Sequence, residues 1–336
     1  MSNPDIKLAT TLYAFTNEFH SRDMSLADLI RETEIKALGR GIEIVGFQSF
    51  RTFPDISDQE AENFEALISA TSLEKVCLGI NADRYMDPGK PVSDDEMVAY
   101  HERQVKSAAK LGFPIVRYQI NAGPDVIRRV LPLAEKLEVK LGLEIHAPHA
   151  PDHPEVIAYR EMYREVDSEC LGFIPDFGAT CRDIHPEFLA YFTDVLGVTQ
   201  QSVDKAVELW FQDMSGHERM EIFQKWAADE GASDSNAMEL MLLFNMVNRR
   251  DPAIWSEIMD DVIHIHGKFY GVDSATGEDP AIDYKKAMKV FFDGGYQGHI
   301  VSEWEGHVFT GKPGFPYVIA HQRMLKSTLD NLSENR

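Results

Sequence analysis

Short apolar, β-branched runs recur along the chain. Between them, apolar positions return at the three- and four-residue spacing of amphipathic helices. The runs are IKLATTLYAFT from residue 6, GIEIVGFQSF from 41, EKVCLGINAD from 74, PIVRYQINAG from 114, VKLGLEIHAP from 139, CLGFIPDFGA from 170, DVIHIHGKFY from 261 and GHIVSEWEGH from 298, eight in all. The segments between them read as helices. SLADLIRETEIKALG opens with Ser25 as N-cap and Asp28 three residues on, a variant of the capping box. DDEMVAYHERQVKSAAKLG closes on Gly112, a C-cap. PDVIRRVLPLAEKL and DYKKAMKVFFDGG keep the same rhythm. Eight strands alternating with helices predict a (β/α)8 barrel, a single domain over residues 1–336. A doubly wound sheet is the alternative. It would normally place a glycine-rich phosphate loop after its first strand, where LYAFTNEFHS has no glycine.

One connection breaks the rhythm. Asp176 and Asp261 lie 85 positions apart, against roughly 30 for an ordinary βα unit. Residues 182–260 therefore read as a helical insertion, built from PEFLAYFTDVLG, QQSVDKAVELWFQ, HERMEIFQKWAADEG and SNAMELMLLFNMVNRR. It carries much of the chain's methionine and aromatic content. Packing of these helices on the barrel and on each other is the plain expectation; shaping a substrate entrance or a subunit interface is the sharper one.

Composition narrows the function classes. Apolar residues make up 44% and charged residues 26%, enough for a large core and unlike a disordered chain. The formal net charge of -22 repels phosphate backbones and anionic lipid, which argues against nucleic-acid and membrane-surface roles. Cys77, Cys170 and Cys181 are odd in number and lack CxxC spacing, so neither a disulfide framework nor a zinc ribbon is expected. MSNPDIKLATTLY has no basic segment followed by an apolar one, and no run reaches transmembrane length. A cytoplasmic setting is the expectation.

In a barrel of this kind, chemistry gathers at the C-terminal ends of the strands. Strand five ends in Glu144 and His146, and strand six in Asp176. Strand seven carries His264, His266 and Lys268, and strand eight ends in Glu303 and Glu305. Period-two alternation puts the members of each strand on one face. Four consecutive strands thus deliver carboxylate, carboxylate, imidazole and carboxylate to one rim. Unpaired charges at that depth are costly, and a divalent cation removes the cost by taking them as ligands. The O3N set Glu144, Asp176, His266 and Glu303 suits Mn²⁺, with Mg²⁺, Co²⁺ or Zn²⁺ as alternatives. Taken singly, such a glutamate is more often a salt-bridge partner and such a histidine a hydrogen-bonded core residue; the set on four successive strands carries the reading. His264 faces the same way as His266, and His266 is preferred because it lies further toward the catalytic end. Glu305 lies beyond the ring. Tyr13, Asn81 and Gln119, at other strand ends, are candidates for binding hydroxyl groups. His149 and His153 fall in APHAPDHP, a proline-rich loop whose histidines are surface residues by default.

LGRGIEIVG, GLEIHAP, IPDFGA, IHIHGKF and SEWEG resemble the helix-one to strand-two motif and the four metal-ligand strands of the xylose-isomerase-like barrels. That superfamily holds sugar isomerases, ketose 3-epimerases and inosose dehydratases. The resemblance spans nearly the whole chain apart from the insertion. In the epimerases a histidine usually follows the metal aspartate by three residues; here that place is Ala179. EIHAPHAP, the long helical segment and EWEGHVF resemble a particular branch, the large (α) subunits of C-glycoside deglycosidases. That resemblance implies cleavage of the C–C bond between a 3-oxo-sugar and an aromatic, flavonoid-like aglycone, with a small β-type subunit as partner.

A ketone at sugar C3 makes the C2 proton acidic, and the resulting enediolate can expel the aryl group from C1 by β-elimination. One base and one acid are needed. His146 is the candidate for that work, beside the metal ligand Glu144. Glu144 or Glu303 are alternative bases, and Lys268 is a candidate oxyanion partner or a salt-bridge partner of Glu305 or Asp176. The same metal ring would equally serve a sugar epimerase or isomerase. An endonuclease-IV-like enzyme would need more histidine ligands and a basic groove, and a non-catalytic partner subunit would show no chelation-sensitive activity.

Overall fold

The computed structural model describes residues 4–86, 89–232 and 235–334. Its eight apolar runs form eight parallel strands: β1 (Ile6–Thr11), β2 (Gly41–Val45), β3 (Glu74–Gly79), β4 (Ile115–Tyr118), β5 (Lys140–Ile145), β6 (Leu171–Pro175), β7 (Ile265–Phe269) and β8 (Gly298–Trp304). The order is β6-β5-β4-β3-β2-β1-β8-β7. Among the described residues, β6 and β7 meet through two isolated bridges, Phe173 with Val262 and Asp176 with His266, so the ring closes at a sparse seam.

Local signals explain the elements. Ser25 and Asp28 form the reciprocal capping box, and Gly112 closes its helix at φ 79°, a left-handed cap that suits glycine. On β5, Leu141, Leu143 and Ile145 face outward and join Val156 and Tyr159 of helix Pro154–Val166 in the main apolar cluster. Each such buried side chain contributes about 1.5–3 kcal/mol. Inside the barrel, toward the N-terminal ends of the strands, Ala9, Val76, Cys77, Ile174 and Val301 make a second, small cluster.

Two elements are shorter than the sequence pattern. β1 ends at Thr11 and the chain turns into a 3-10 segment, Leu12–Phe15, that carries Tyr13. β7 starts at Ile265, which leaves His264 just below it.

Between β6 and β7 run helices Pro186–Ala190, Gln200–Trp210 and Gly216–Asp229. SNAMELMLLFNMVNRR, a single helix by its pattern, splits into Ser235–Met238, Glu239–Leu242 and Leu243–Met246. Leu240, Leu243, Phe244 and Val247 are all fully buried there. The buried positions still recur at helical spacing, and the Trp210 indole donates to the Val247 carbonyl at 3.0 Å, which anchors the end of the stretch. The 3-10 segment Pro252–Asp261 returns the chain to the seam. No described helix is long and apolar enough to cross a membrane.

Candidate active site

The strands open at their C-terminal ends on a cavity of about 310 Å³. Glu144, His146, Glu303 and Glu305 line it, with Arg117, Gln119, Lys268 and Tyr13 around them. One ligand atom each from Glu144, Asp176, His266 and Glu303 lies within 4.8 Å of the others, and all four side chains are buried. His266 Nδ1 sits 3.0 Å from a Glu144 oxygen and 3.2 Å from a Glu303 oxygen. Asp176 Oδ1 accepts the Gly178 N–H at 2.7 Å, which orients that carboxylate.

The two histidines of the HIH run share one partner that sequence reasoning passed over. Glu43, on β2, is fully buried. Its Oε2 takes His264 Nε2 at 2.9 Å and His266 Nε2 at 3.0 Å. His266 therefore spends Nε2 on Glu43 and turns Nδ1 to the carboxylates. This is the arrangement by which a second carboxylate fixes the tautomer and tilt of a metal-binding imidazole. His264 lies outside the four-residue group.

The residues fit a divalent cation. Asp176 Oδ2 and Glu303 Oε2 are buried without a well-directed hydrogen bond, and Lys268 Nζ approaches the former at 2.8 Å as an ion contact. Burial disfavours a charged His266, yet Glu303, Glu43 and Glu144 override it and drive its pKa well above the usual value. Burial raises Glu303. Burial would also raise Glu144, but the Arg117 guanidinium and His266 hold it well below the carboxylate range. A site that recruits a proton, a lysine and an arginine to its carboxylates is short of positive charge, and three oxygens with one nitrogen suit a first-row divalent ion.

Further groups ring this cluster. Arg117 Nη1 lies 3.2 Å from Glu144 Oε2. Gly79 makes that possible, because a Cβ there would stand 2.7 Å from the guanidinium. Arg117 was also passed over, although PIVRYQ places it on one face with Gln119. Lys268 is held between Asp176 and, at 3.1 Å, Glu305. Burial opposes its charge, but Asp176 and Glu305 keep its pKa well above normal. The Tyr13 hydroxyl donates to Glu305 at 3.1 Å. Gln119 is exposed to the cavity.

Asn81 lies outside the lining. Gln104 grips its backbone with two 2.9 Å bonds, and its side chain accepts the Asp83 N–H. His146 is partly exposed at the rim. Its Nδ1 is 2.5 Å from the Ala147 carbonyl and its Nε2 is 3.8 Å from Asp176. Donation from Nδ1 to that carbonyl leaves the lone pair on Nε2, the nitrogen nearer Asp176.

No family model matches the chain. It is 36% identical over 335 residues to a 3'-dehydrocarminate deglycosidase alpha subunit of Microbacterium sp, a match covering 95% of this chain and 94% of that protein. It is 37% identical over 308 residues to a C-glycoside deglycosidase alpha subunit of Microbacterium trichothecenolyticum, covering 88% and 82% respectively. Among solved structures, a D-tagatose 3-epimerase-like protein matches with a TM-score of 0.54 and 14% identity over 98% of this chain and 99% of that one, a likeness of fold.

Proposed function

Since this chain belongs to the family of C-glycoside deglycosidase alpha subunits, we propose that it cleaves the C–C bond between a 3-oxo-glucosyl group and an aromatic, flavonoid-like aglycone. The observation that supports the reading is the buried Glu144, Asp176, His266 and Glu303 cluster with the His146 imidazole beside it. A divalent cation held by those four residues, Mn²⁺ by the donor set, would supply Lewis-acid stabilisation of charge developing on the C3 oxygen.

His146 does the proton work in this proposal. Its Nε2 takes the proton from C2, and the electrons of that bond spread into the C3 ketone. As the ketone re-forms, C1=C2 forms and the bond from C1 to the aryl carbon breaks. The departing carbon takes the pair and receives the proton back from Nε2. Sugar enone and free aglycone balance the reaction with no further reagent. Glu303, whose pKa burial raises, is the second basic group facing the cavity, and Glu144 the third. Lys268, Tyr13, Glu305 and Gln119 are placed to meet sugar hydroxyls. The alpha-subunit names of the relatives support a partner subunit; in this reading it is a small beta-type chain and the substrate is a 3-oxo-C-glycoside, with neither nucleic acid nor membrane involved.

The test is aglycone release from a 3-oxo-C-glucoside, with the candidate beta subunit present. Release should require a divalent ion, stop on chelation and return with Mn²⁺. His146→Ala should abolish it. Epimer formation from a ketohexose, with no aglycone released under any condition, would sink the lyase reading and favour a sugar epimerase on the same barrel.

A further inference from the structure

The loop after β5 and the first turn of helix Pro154–Val166 carry three ligand-type side chains that the reaction does not use. His149, His153 and Glu155 each bring one ligand atom within 4.8 Å of the others. His149 Nε2 stands 3.2 Å from a Glu155 carboxylate oxygen. That is close to the edge of a zinc tetrahedron, roughly 3.3 Å for bonds of about 2.0 Å. The other nitrogen of His149 lies 3.2 Å from the His146 carbonyl. Donation there puts the ring proton on Nδ1 and leaves the lone pair on Nε2, as a backbone carbonyl does for many metal-binding histidines. The His153 ring meets His149 edge-on at 4.5 Å between centroids. Its Nδ1 holds only a long cap bond, 3.3 Å from the Glu155 N–H, weak enough for coordination to replace.

The three residues open on a cavity of about 590 Å³ between this loop and the helical insertion. Asp152, Glu155 and Asp213 line it against one permanent cation, Arg250, so its charge favours a positive guest. His217 also lines the cavity and offers a further nitrogen.

The geometry points to a second metal site: His149, His153 and Glu155 bind a zinc-class divalent cation outside the barrel. Two imidazoles and a carboxylate match the borderline preference of Zn²⁺ and leave a fourth position for water or a guest in the cavity. The site would also act on its surroundings. Both the backbone N–H of His149, at 3.0 Å, and its Nδ1 address the His146 carbonyl. An ion on His149 and Glu155 would therefore tie the backbone of His146 to the first turn of helix Pro154–Val166.

Tag-free protein titrated with Zn²⁺ by calorimetry, with metal content read by mass spectrometry after gel filtration, tests this. His149→Ala/His153→Ala is expected to bind one equivalent fewer than the wild-type chain. Glu155→Gln, at a side chain 62% exposed, should weaken that equivalent about tenfold or more while circular dichroism stays unchanged. The barrel variant Glu144→Gln/Glu303→Gln should keep the outer equivalent, and its Co²⁺ form should show the intense visible bands of low-coordinate cobalt. Equal stoichiometry in wild type and the histidine double variant overturns the site, whatever the barrel ligands do.

Discussion

The two halves of the barrel's interior are built on opposite principles. Toward the N-terminal ends, Ala9, Val76, Cys77, Ile174 and Val301 fill the lumen with small apolar side chains. Toward the C-terminal ends β2, β4, β5, β7 and β8, with the residue that follows β6, supply Glu43, Arg117, Glu144, Asp176, His266, Lys268 and Glu303, all buried. One half gains free energy from burial. The other holds charges whose desolvation is offset only by mutual pairing, an arrangement that contributes little to stability and leaves groups such as Glu303 Oε2 without a well-directed partner. The contrast teaches that one half can be altered without the other if stability and chemistry are truly divided between them.

The sharpest break would come from Glu303→Gln, nearly isosteric. Aglycone release should fall about 10²–10⁴-fold, with Tm unchanged or raised because a crowded carboxylate loses its charge. A variant that unfolds, or keeps nearly full activity, would deny the division. Next, Ile174→Ala in the apolar half should cost about 2–5 kcal/mol of stability, read by urea denaturation, while turnover per folded molecule stays near wild type. Loss of turnover at full stability would place that half in the chemistry.

Glu43→Gln probes the boundary. It keeps the acceptor for both histidines but removes the charge, so divalent-ion affinity should weaken about 10–100-fold by calorimetry. Unchanged affinity would reduce Glu43 to a packing role. The smallest effect concerns histidines outside the lumen. Burial holds His101 down to about 4 and His321 well below its usual value. Both fold as neutral rings, so the unfolded chain binds protons that the folded chain refuses. Their contribution is present above the unfolded value of about 6.5 and is lost as pH falls toward 4. His101→Gln should flatten the fall in Tm across that window; an equally steep fall would exclude the ring as its source.

The apolar runs reveal the barrel because a strand buried on both faces must be apolar, and any exception is conspicuous. Glu144, Asp176, His266 and Glu303 stand out for that reason, and the structure brings them together. Glu43 is the same kind of exception, in GIEIV. Its meaning rests on His264 and His266, 221 and 223 positions away, and no local pattern reports such a contact. Arg117 is hidden in the same way behind Glu144. Asn81 misleads in the other direction: it ends a strand run, but Gln104 captures its backbone. The last stretch of the insertion reads as one helix because Ala237, Leu240, Leu243, Phe244 and Val247, all buried, recur at helical spacing; the breaks between its three short segments leave no mark in that pattern.

The seam between β6 and β7 carries a final consequence. One of its two bridges pairs Asp176 with His266, both members of the carboxylate–imidazole group. A cation shared by these two side chains would act as a clasp on a cylinder that hydrogen bonds fasten loosely. Ion uptake and ring closure then become a single linked equilibrium. Amide exchange along Phe173–Asp176 and Val262–His266 would slow on loading, while the far side of the barrel, between β2 and β3, would barely register it. Such a clasp also suits a chain that leaves its longest excursion at this gap, since the two staves would be rejoined by chemistry where the backbone does little of the holding.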